Sequence, residues 1–329
     1  MIIKELDEKQ AIECFEKIPI KKQYPSNHPS IIVCDSFRSK ILKPTFWYAE
    51  ENNKFLLHSF FLNYNKNFNF FDIESSYGYG GPIGNNKSKV FINKVSNYFT
   101  EWCNKKNIIA EFLRFHPLNN HSEFYWGKSI KNRSTIVINL ENELFDNYKK
   151  GRKTDITTAN KNGFHIRQVD PNTMNKHFPL MYYNNMEVIN ASKFYFFSSQ
   201  YFENLFKSSL VDNWLVFKGE EVISGAVIFK SYRSKTIEYH LSARKNFTDK
   251  SIVFLIHNIA KFYKELQFKN FFLGGGRSSS PEDSLLFFKK GFSSYEKEFK
   301  IGYKIYNESK YKELKAKFKI SNEKILFYR

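Results

Sequence analysis

The chain has 329 residues, of which 42% are hydrophobic and 36 are phenylalanine, which excludes a disordered polypeptide and allows two domains of ordinary size. No run of about 18 apolar residues occurs, so the sequence predicts no transmembrane helix. The formal net charge of +18 either reflects a composition rich in lysine or indicates an anionic partner, namely nucleic acid, a nucleotide-sugar or an anionic membrane surface.

The first elements predicted along the chain are a short helix and a hairpin. Apolar residues recur at helical spacing after Asp7, which can cap a helix, so residues 6–18 are predicted to be helical. Several prolines interrupt residues 19–45, which are expected to be irregular. Residues 47–49 and 55–61 are predicted to be the strands of a hairpin.

A glycine-rich aromatic turn follows at residues 77–82, with the sequence YGYGGP. One interpretation is a tight loop that ends a strand. The other is the floor of a substrate groove, in which the rings and hydroxyls of Tyr77 and Tyr79 contact a sugar or a peptide.

The clearest helical pattern is an apolar stripe over residues 89–105.

A strand is predicted at 108–115. Near its end, Arg114 can either bind a phosphate or carboxylate in bidentate fashion or close an internal salt bridge. His116 is more typical of a buried structural histidine than of a base.

A predicted strand at 134–140 is followed by one helical region at 142–162, which carries a cluster of basic residues. Such a charge run usually forms a solvated helix face. Arg152 in this cluster is also a candidate for substrate binding.

The remaining elements alternate between helices and strands. Strands are predicted at 164–169, 214–218, 222–230, 236–242, 268–273 and 296–306, and helices at 173–190, 199–210, 252–266 and 310–319. Tyr239 and His240 are neighbours on one of these strands, so their side chains are predicted to lie on opposite faces of the sheet. His240 can relay a proton or simply pack in the core.

We expect a functional site around residues 271–292, FFLGGGRSSSPEDSLLFFKKGF. Three glycines after an apolar strand allow the backbone to turn sharply and to lie against a ligand. Ser280 is predicted to cap the next helix, Pro281 suits its first position, and Asp283 has the spacing of a capping box.

The short helix that follows is predicted to end at Gly291 in a left-handed C′ position. Lys289 lies four residues after Leu285 and three after Leu286, so its stem is expected to leave an apolar surface. A strand, a glycine loop, a short helix and an amine with apolar surroundings together indicate a site.

Four motifs occur in a fixed order: SYGYGGPI at 76–83, FLRFHPL at 112–118, RKTDITTANKNG at 152–163, and FLGGG with DSLLFFKKGF at 272–292. In this combination the sequence resembles the Fem-type aminoacyltransferases. The resemblance implies an α+β fold of two GNAT-like (acyl-CoA N-acyltransferase fold) domains packed side by side, each a mixed, mostly antiparallel sheet flanked by helices. We expect the domains at residues 1–148 and 149–329, with the tail at 307–329 packing back on the first.

Acyl transfer to an amine requires a deprotonated acceptor, a carbonyl held against it and stabilisation of the developing oxyanion. No Ser–His–Asp or Cys–His set is evident, so direct transfer without a covalent enzyme intermediate is expected. The resemblance implies that Lys289 supplies positive charge near the reacting carbonyl or the donor phosphate and that Phe288 shapes the channel. The predicted substrate-binding residues are Tyr77, Tyr79, Arg114, Arg152, Tyr239, His240, Gly274, Gly275, Gly276 and Arg277.

The donor is expected to be aminoacyl-tRNA or acyl-CoA, without a bound cofactor. GNAT enzymes hold the CoA pyrophosphate on a glycine-containing loop before a helix, and the matching residues 243–250 (ARKNFTDK) contain no glycine. This absence favours aminoacyl-tRNA.

The resemblance implies that the acceptor is an amine on a nucleotide-linked or lipid-linked cell-envelope precursor, for peptidoglycan or a surface polysaccharide. Many relatives carry an arginine where this chain has Val188, so the acceptor contact at this point is expected to differ. Two alternatives remain: an acyl-CoA-dependent N-acyltransferase that acts on a nucleotide-linked amino sugar, and a non-catalytic RNA- or membrane-binding module.

The cysteines and histidines indicate neither disulfides nor metal. Cys14, Cys34 and Cys103 form no CxxC pair, and the histidines form no HExxH pattern, which favours free thiols in a reducing compartment. The first residues are acidic where a signal peptide needs an apolar stretch. We therefore expect a cytoplasmic protein, with peripheral contact at the inner face of the membrane as a further expectation.

Overall fold

The computed structural model describes residues 1–280, 282–319 and 324–328. The chain forms two compact units. The first unit combines Met1–Asn132 with Phe299–Arg329, and the second comprises Arg133–Glu298.

Helices and strands are interspersed along the whole chain. The elements up to the seventh strand are β1 (Ile2–Leu6), α1 (Glu8–Glu16), α2 (Pro29–Ser36), β2 (Leu42–Glu51), β3 (Lys54–Asn65), β4 (Phe70–Glu74), β5 (Ile83–Gly84), α3 (Lys89–Lys105), β6 (Ile108–Phe115) and β7 (Lys128–Asn139). The later elements are α4 (Leu144–Asn147), α5 (Lys150–Asn160), β8 (Phe164–Val169), α6 (Pro171–Val188), α7 (Ser199–Lys207), β9 (Val211–Lys218), β10 (Glu221–Ser231), β11 (Thr236–Arg244), α8 (Ser251–Glu265), β12 (Asn270–Gly275), α9 (Ser284–Lys290), β13 (Glu296–Ile305) and α10 (Glu308–Phe318).

The sheet of the first unit has the strand order β1-β2-β3-β4-β6-β13, with β5 paired to β3. Neighbouring strands are antiparallel except β4 and β6, which are parallel and joined through α3. Phe91, Val95 and Phe99 of α3 are buried in the core of this unit. They form the predicted stripe, because residues three and four apart share one face of a helix.

The second unit repeats this order with β8-β9-β10-β11-β12-β7. Its strands are antiparallel except β11 and β12, which are parallel and joined through α8. Leu255, Ile259 and Tyr263 of α8 are buried in the core of this unit. The predicted α+β class, with mixed and mostly antiparallel sheets flanked by helices, is confirmed.

The last strand of each sheet comes from the other half of the sequence. In the first unit, Ile301 of β13 pairs opposite Arg114 of β6. In the second unit, Ile138 of β7 pairs opposite Phe271 of β12. The compact units therefore change at residues 132/133 and 298/299, whereas the sequence placed one boundary at 148/149, because strand pairing groups segments that are distant along the chain.

The tail packs in the first unit. Tyr311 and Leu314 of α10 share a buried cluster with Phe327 and with Ile109 of β6. Among the described residues, no helix combines the length and the apolar character needed to cross a bilayer.

Most predicted elements are confirmed, with ends shifted by a few residues. α3, β6 and β8 have the predicted bounds, and β9, β10 and β11 form the predicted meander. Asp7 caps α1 by accepting a hydrogen bond from the Gln10 N–H.

Two of the predicted segments are wrong. Residues 19–45 are not irregular throughout, since α2 begins at Pro29 with the His28 ring accepting a hydrogen bond from the Ser30 N–H. Residues 142–162 are not one helix, because Tyr148 has an extended backbone (φ −85°, ψ 139°) between α4 and α5. The buried Tyr148 ring packs edge-on against Phe292.

Candidate functional site

β12 leads into three consecutive glycines, Gly274 to Gly276, and each has its own structural reason. Gly274 has a φ of +74°, a left-handed conformation that disfavours other residues. At Gly275 a Cβ would lie 2.9 Å from the carbonyl oxygen of Ser134 on β7, and at Gly276 a Cβ would overlap the carboxyl group of Asp283. The glycines therefore allow the backbone to turn and to approach two neighbouring segments of the second unit.

Asp283 holds the loop between β12 and α9. Its Oδ2 accepts hydrogen bonds from the backbone N–H groups of Arg277 and Ser278 at 2.9 and 2.8 Å, and its Oδ1 accepts one from Leu286 at 2.9 Å. Burial alone would raise the pKa of Asp283, but these donors stabilise the carboxylate and lower the pKa to about 2. One carboxylate thus ties the glycine loop to the start of the helix.

The cap of α9 differs from the prediction. The sequence assigned it to Ser280, and this is wrong, since Asp283 is the N-cap and α9 begins at Ser284. A carboxylate makes stronger hydrogen bonds to backbone N–H groups than a hydroxyl does. Pro281, predicted at the first helical position, lies outside the described residues. Gly291 does follow the helix, but its φ of −65° is right-handed, so the predicted left-handed position is wrong.

The amine of Lys289 is buried in the second unit. Lys289 is 8% exposed, and its Nζ donates a hydrogen bond of 2.7 Å to the carbonyl oxygen of Gly275. Its stem leaves the face of α9 that also buries Leu286, as the spacing predicted. Burial lowers the pKa of Lys289 to about 7, although the charge of Asp283 acts in the opposite direction. Near neutral pH such an amine can take up or release its proton readily.

The parallel pairing of β11 with β12 ends early. It stops at Glu238 and Phe272, although β11 continues to Arg244 and β12 to Gly275. Beyond these points the two facing edges are not paired with each other. The strands thus open at their carboxyl ends, where sheets with parallel strands bind ligands. The carbonyl that holds the Lys289 amine lies at this opening.

The equivalent parallel pair of the first unit, β4 and β6, stays closed. Its pairing runs to Glu74 and Phe112. The chain after β4 then continues the contact, with the Ser75 N–H donating to the Phe112 carbonyl at 3.2 Å and the Gly80 N–H donating to the Arg114 carbonyl at 2.7 Å. Of these two parallel pairs, only β11 and β12 form an opening.

Arg152 on α5 contacts the C-terminal end of α9. Its Nη2 donates to the Phe288 carbonyl oxygen at 3.0 Å, and its guanidinium carbon lies 4.5 and 4.6 Å from the ring centroids of Phe288 and Phe292. Its Nη1 pairs with Asp155 at 2.9 Å. A cation is favourable at the C-terminus of a helix, so these contacts stabilise the turn that carries Lys289.

Tyr239 and His240 lie on opposite faces of β11, as predicted. Tyr239 packs on the core that includes Phe271 and the inward face of α9, and burial raises its pKa to about 12. His240 Nε2 lies 2.7 Å from the Tyr201 hydroxyl, and its ring stacks on Phe229 at 4.0 Å. The sheet therefore separates His240 from the core against which α9 packs.

Tyr77 and Tyr79 lie in the first unit, in the loop that follows β4. The Tyr77 N–H donates to Asp35 Oδ2 at 2.6 Å, and the Arg38 guanidinium lies 5.5 Å from the Tyr77 ring. The Tyr79 ring packs edge-on against His116 at 5.2 Å. His116 is 1% exposed, so the predicted buried histidine is confirmed.

Arg114 lies close to buried carboxyl groups of the first unit. Burial raises the pKa of Glu74 and of Asp35, and the positive charge of Arg114 acts against this rise in both. The Arg114 backbone N–H donates to Ser75 Oγ at 3.0 Å. These interactions with Glu74 and Asp35 fit the predicted internal salt-bridge role of Arg114. Substrate binding by Arg114 stays a prediction.

Asp283 has a role at the opening that the sequence did not predict. Asp283 was predicted only as part of a capping box, and its two bonds to the loop at 277–278 depend on a turn that the sequence does not reveal.

Solved structures share this architecture. The structure of FemX covers 95% of this chain and 100% of its own, with a TM-score of 0.69 at 11% identity. The chain has the fold of FemX. The FemX-like fold also occurs in L-PGS from Bacillus licheniformis, with a TM-score of 0.60, 15% identity and coverage of 92% and 94%.

A tandem GNAT protein from the clavulanic acid biosynthesis pathway is similar over 94% of this chain and 99% of its own, with a TM-score of 0.54 at 8% identity. The predicted tandem GNAT-like, FemX-like fold is thus confirmed. No protein-family model and no curated protein matches the sequence. In the described part of the chain, no three His, Cys, Asp or Glu side chains come together as metal ligands would.

Proposed function

We propose that the protein is an acyl or aminoacyl transferase that forms an amide on an amine of a cell-envelope precursor, with aminoacyl-tRNA as the donor. The observation that carries this proposal is the buried amine of Lys289, bonded to the Gly275 carbonyl at the opening between β11 and β12. A buried amine beside an open pair of parallel strands suits the stabilisation of charge on a bound carbonyl.

Lys289 would act through its change of protonation. With a pKa lowered to about 7 by burial, it holds its proton only part of the time near neutral pH. Negative charge that develops on a nearby carbonyl oxygen raises the proton affinity of the amine and draws it to the ammonium form. One N–H can remain on the Gly275 carbonyl while another donates to the oxyanion.

The proposed reaction is a direct transfer. The lone pair of the acceptor amine attacks the ester carbonyl of the aminoacyl-RNA, a C–N bond forms, and the C–O bond to the ribose breaks. The proton lost by the amine goes to the ribose oxygen that leaves, which thereby becomes a hydroxyl group. Such a step needs no protein nucleophile, because the ester is already activated and the two reactants need only be held together.

Phe288 and Arg152 would support Lys289. The Phe288 ring packs between the core of the second unit and the Arg152 guanidinium, so it can form an apolar wall beside the amine. Arg152 is then a positioning residue, since its Nη2 and Nη1 groups already contact Phe288 and Asp155.

In the second unit, Tyr239 and the glycine loop would contact the acceptor. In the first unit, Tyr77, Tyr79 and Arg114 remain proposed substrate-binding residues. Aromatic hydroxyls and a guanidinium suit a precursor that carries a sugar or peptide and a phosphate or carboxylate. Either a nucleotide-linked or a lipid-linked precursor fits this chemistry. We place the reaction in the cytoplasm, at the inner face of the membrane when the acceptor is lipid-linked.

The test is mass spectrometry of envelope precursors from cells that produce the native protein, the Lys289→Ala variant or no protein. Precursors with one added aminoacyl group are expected only with the native protein. Lys290→Ala is the matched control, since Lys290 is the next residue and pairs with Glu296 at 2.7 Å. Identical precursor profiles in all cells would refute the proposal.

A second candidate is an acyl-CoA-dependent N-acyltransferase that acts on a nucleotide-linked amino sugar. The similarity to a tandem GNAT protein favours it. Titration calorimetry with coenzyme A and with charged tRNA separates the two candidates, because saturable binding of coenzyme A alone would make this second candidate the better one.

A further inference from the structure

A groove in the second unit lies between the C-terminal half of α8 and the strands β8 and β9. Its volume is about 390 Å³, which is within the range of pockets that bind small molecules. Four lining side chains come from α8, at a spacing of three, four and seven residues that places them on one face of the helix. They are Asn258, Lys261, Phe262 and Glu265.

The sheet supplies the opposite side of the groove. Ile166 and Gln168 are two residues apart on β8, so they share a face of the sheet. Gln168 is paired opposite Trp214 of β9, which also lines the groove. One helix face and one sheet face therefore meet here within a single unit.

Part of the groove is apolar. Trp214 is 4% exposed, and its ring meets the Phe262 ring edge-on with 5.0 Å between the centroids. Phe262 and Ile166 both pack on the buried core that contains Trp214. Such a surface binds the aliphatic or aromatic part of a ligand, because contact removes that part from water.

Two amide side chains of the groove have free oxygen atoms. The Asn258 Nδ2 donates to the Phe254 carbonyl, one turn earlier in α8, at 2.8 Å. The Gln168 Nε2 donates to Asp212 Oδ1 at 2.6 Å, and Asp212, which is 4% exposed, also accepts a hydrogen bond from the Tyr263 hydroxyl. In the part of the chain that the structure describes, the side-chain oxygens of Asn258 and Gln168 accept no hydrogen bond. Both oxygens can therefore accept one from a ligand.

Lys261 and Glu265 add charges of opposite sign to the same groove. They lie four residues apart on α8, and both side chains are exposed. Within residues 1–280, 282–319 and 324–328, neither makes an ion pair. A lysine that precedes a glutamate by four residues is the less favourable order for pairing on a helix. A ligand that carries both charges can therefore pair with both residues without breaking an existing ion pair.

We propose that this groove binds a free α-amino acid with an apolar side chain. The Lys261 ammonium would pair with the α-carboxylate of the ligand, and the Glu265 carboxylate would pair with its α-ammonium. The oxygens of Gln168 and Asn258 would accept the other two N–H groups, since an ammonium offers three donors and no acceptor. The apolar side chain would cover the Trp214 ring.

Other classes of small molecule match the groove less well. A phosphate-bearing ligand would be attracted by Lys261 but repelled by Glu265, and the two amide oxygens would offer it no donor. A neutral sugar can donate to the amide oxygens and contact the rings, but it gains nothing from the two charges. The amino-acid zwitterion uses each of these polar groups.

The groove is separate from the opening between β11 and β12. α8 begins at Ser251, shortly after β11 ends at Arg244. The groove starts at Asn258, about 10 Å further along the helix at about 1.5 Å per residue. An amino acid bound there would not be a reactant at Lys289, so this inference does not depend on the proposed function.

The experiment measures the binding of L-leucine, L-methionine and L-phenylalanine to the full chain by titration calorimetry. At least one of the three is expected to bind saturably. Its N-acetyl derivative lacks the positive charge and its carboxamide lacks the negative charge, so each is expected to bind about tenfold more weakly. Absence of saturable binding in the millimolar range for all three, or equal affinity for the derivatives, would overturn the site.

Two variants connect the binding to the groove. Glu265→Gln is expected to weaken binding of the amino acid about tenfold and to abolish its advantage over the N-acetyl derivative. Lys261→Met is expected to have the same effect on the advantage over the carboxamide. Both side chains are exposed, so folding should be retained, which thermal unfolding checks. Native affinity in both variants would overturn the proposal.

Lys264→Met is the matched control for Lys261→Met. Lys264 lies on the same helix but does not line the groove, and its Nζ donates to the Asn142 carbonyl at 2.8 Å. This variant removes the same charge and is expected to bind the amino acid as the native protein does. An equal loss of affinity in Lys264→Met would indicate a general effect of charge and would overturn the site.

Failure of this inference and failure of the proposed function can be told apart. Lys289→Ala is expected to bind the amino acid with native affinity, and a loss of binding in this variant would place the ligand at the opening and overturn the groove. Transfer that persists in Lys289→Ala refutes the proposed function and leaves the amino-acid site standing.

Discussion

The amine of Lys289 donates a hydrogen bond of 2.7 Å to the carbonyl oxygen of Gly275. This bond joins α9 to the glycine loop at the end of β12, fourteen residues earlier in the chain. Its acceptor is a neutral carbonyl and not a carboxylate. The Lys289 amine can therefore still interact with a negative charge on a bound substrate.

Replacement of Lys289 tests this availability directly. Lys289→Met keeps the apolar stem and removes the amine, so we expect transfer to fall by about two to three orders of magnitude, as for loss of one oxyanion donor. The measurement is the rate of transfer with saturating donor. A parallel thermal unfolding experiment should give a stability equal to or above that of the native protein, because a buried amine is lost. A rate within about twofold of the native enzyme would contradict the assigned role.

The pH dependence of stability follows from the pKa of Lys289. This pKa is lowered to about 7 in the folded protein, whereas an unfolded lysine titrates near about 10.4. Between these two pKa values Lys289 holds its proton more often in the unfolded chain than in the folded protein. Its contribution to the free energy of unfolding therefore rises with pH, by up to about 1.4 kcal/mol per pH unit. Below about pH 7 both states are protonated and the contribution stays constant.

Denaturant unfolding of the native protein and of Lys289→Met from pH 6 to pH 10 measures this contribution. The free energy of unfolding of the native protein, relative to that of Lys289→Met, should increase as the pH rises. A difference that stays constant across the range would show that the amine is not desolvated.

Gly276→Ala tests the contact between the glycine loop and Asp283. A Cβ at this position would overlap the Asp283 carboxyl group, so either the loop or the cap of α9 must shift. We expect a loss of about 1–3 kcal/mol in the free energy of unfolding and a lower rate of transfer, because Lys289 is carried by α9.

Gly151→Ala is the control for this substitution. Gly151 lies within α5, and among the described residues a Cβ at this position would meet no heavy atom of another segment within 4 Å. Alanine should therefore stabilise the helix by up to about 1 kcal/mol. Equal stability of Gly276→Ala and the native protein in urea unfolding would argue against tight packing at the loop.

Arg152→Gln tests the contact at the end of α9. The variant loses the bond to the Phe288 carbonyl and the stacking on two rings, and we expect the free energy of unfolding to fall by about 2–3 kcal/mol. If Arg152 positions Lys289, the maximal rate should fall while the Michaelis constant for the donor stays nearly unchanged. A rise in that constant alone would instead indicate that Arg152 binds substrate. Arg167→Gln on β8 serves as the matched control.

The local elements of this chain could be predicted because local spacing encodes them. The stripe from Phe91 to Phe99 defines α3 without reference to the rest of the chain, and the three glycines at the end of β12 mark a turn wherever they occur. The place of Lys289, four residues after Leu285, likewise predicted that its stem leaves an apolar surface.

Tertiary structure decided the rest, because the deciding contacts join residues that are far apart in sequence. Helical spacing could not show that the Lys289 amine turns inward to Gly275, or that Asp283 and not Ser280 caps α9. Nor could it show that β13 closes the first sheet and β7 the second, since strand register depends on partners that local periodicity does not name. The sequence by itself determined most of the helices, strands and turns, and the pairing of distant strands determined which side chains face one another at the site.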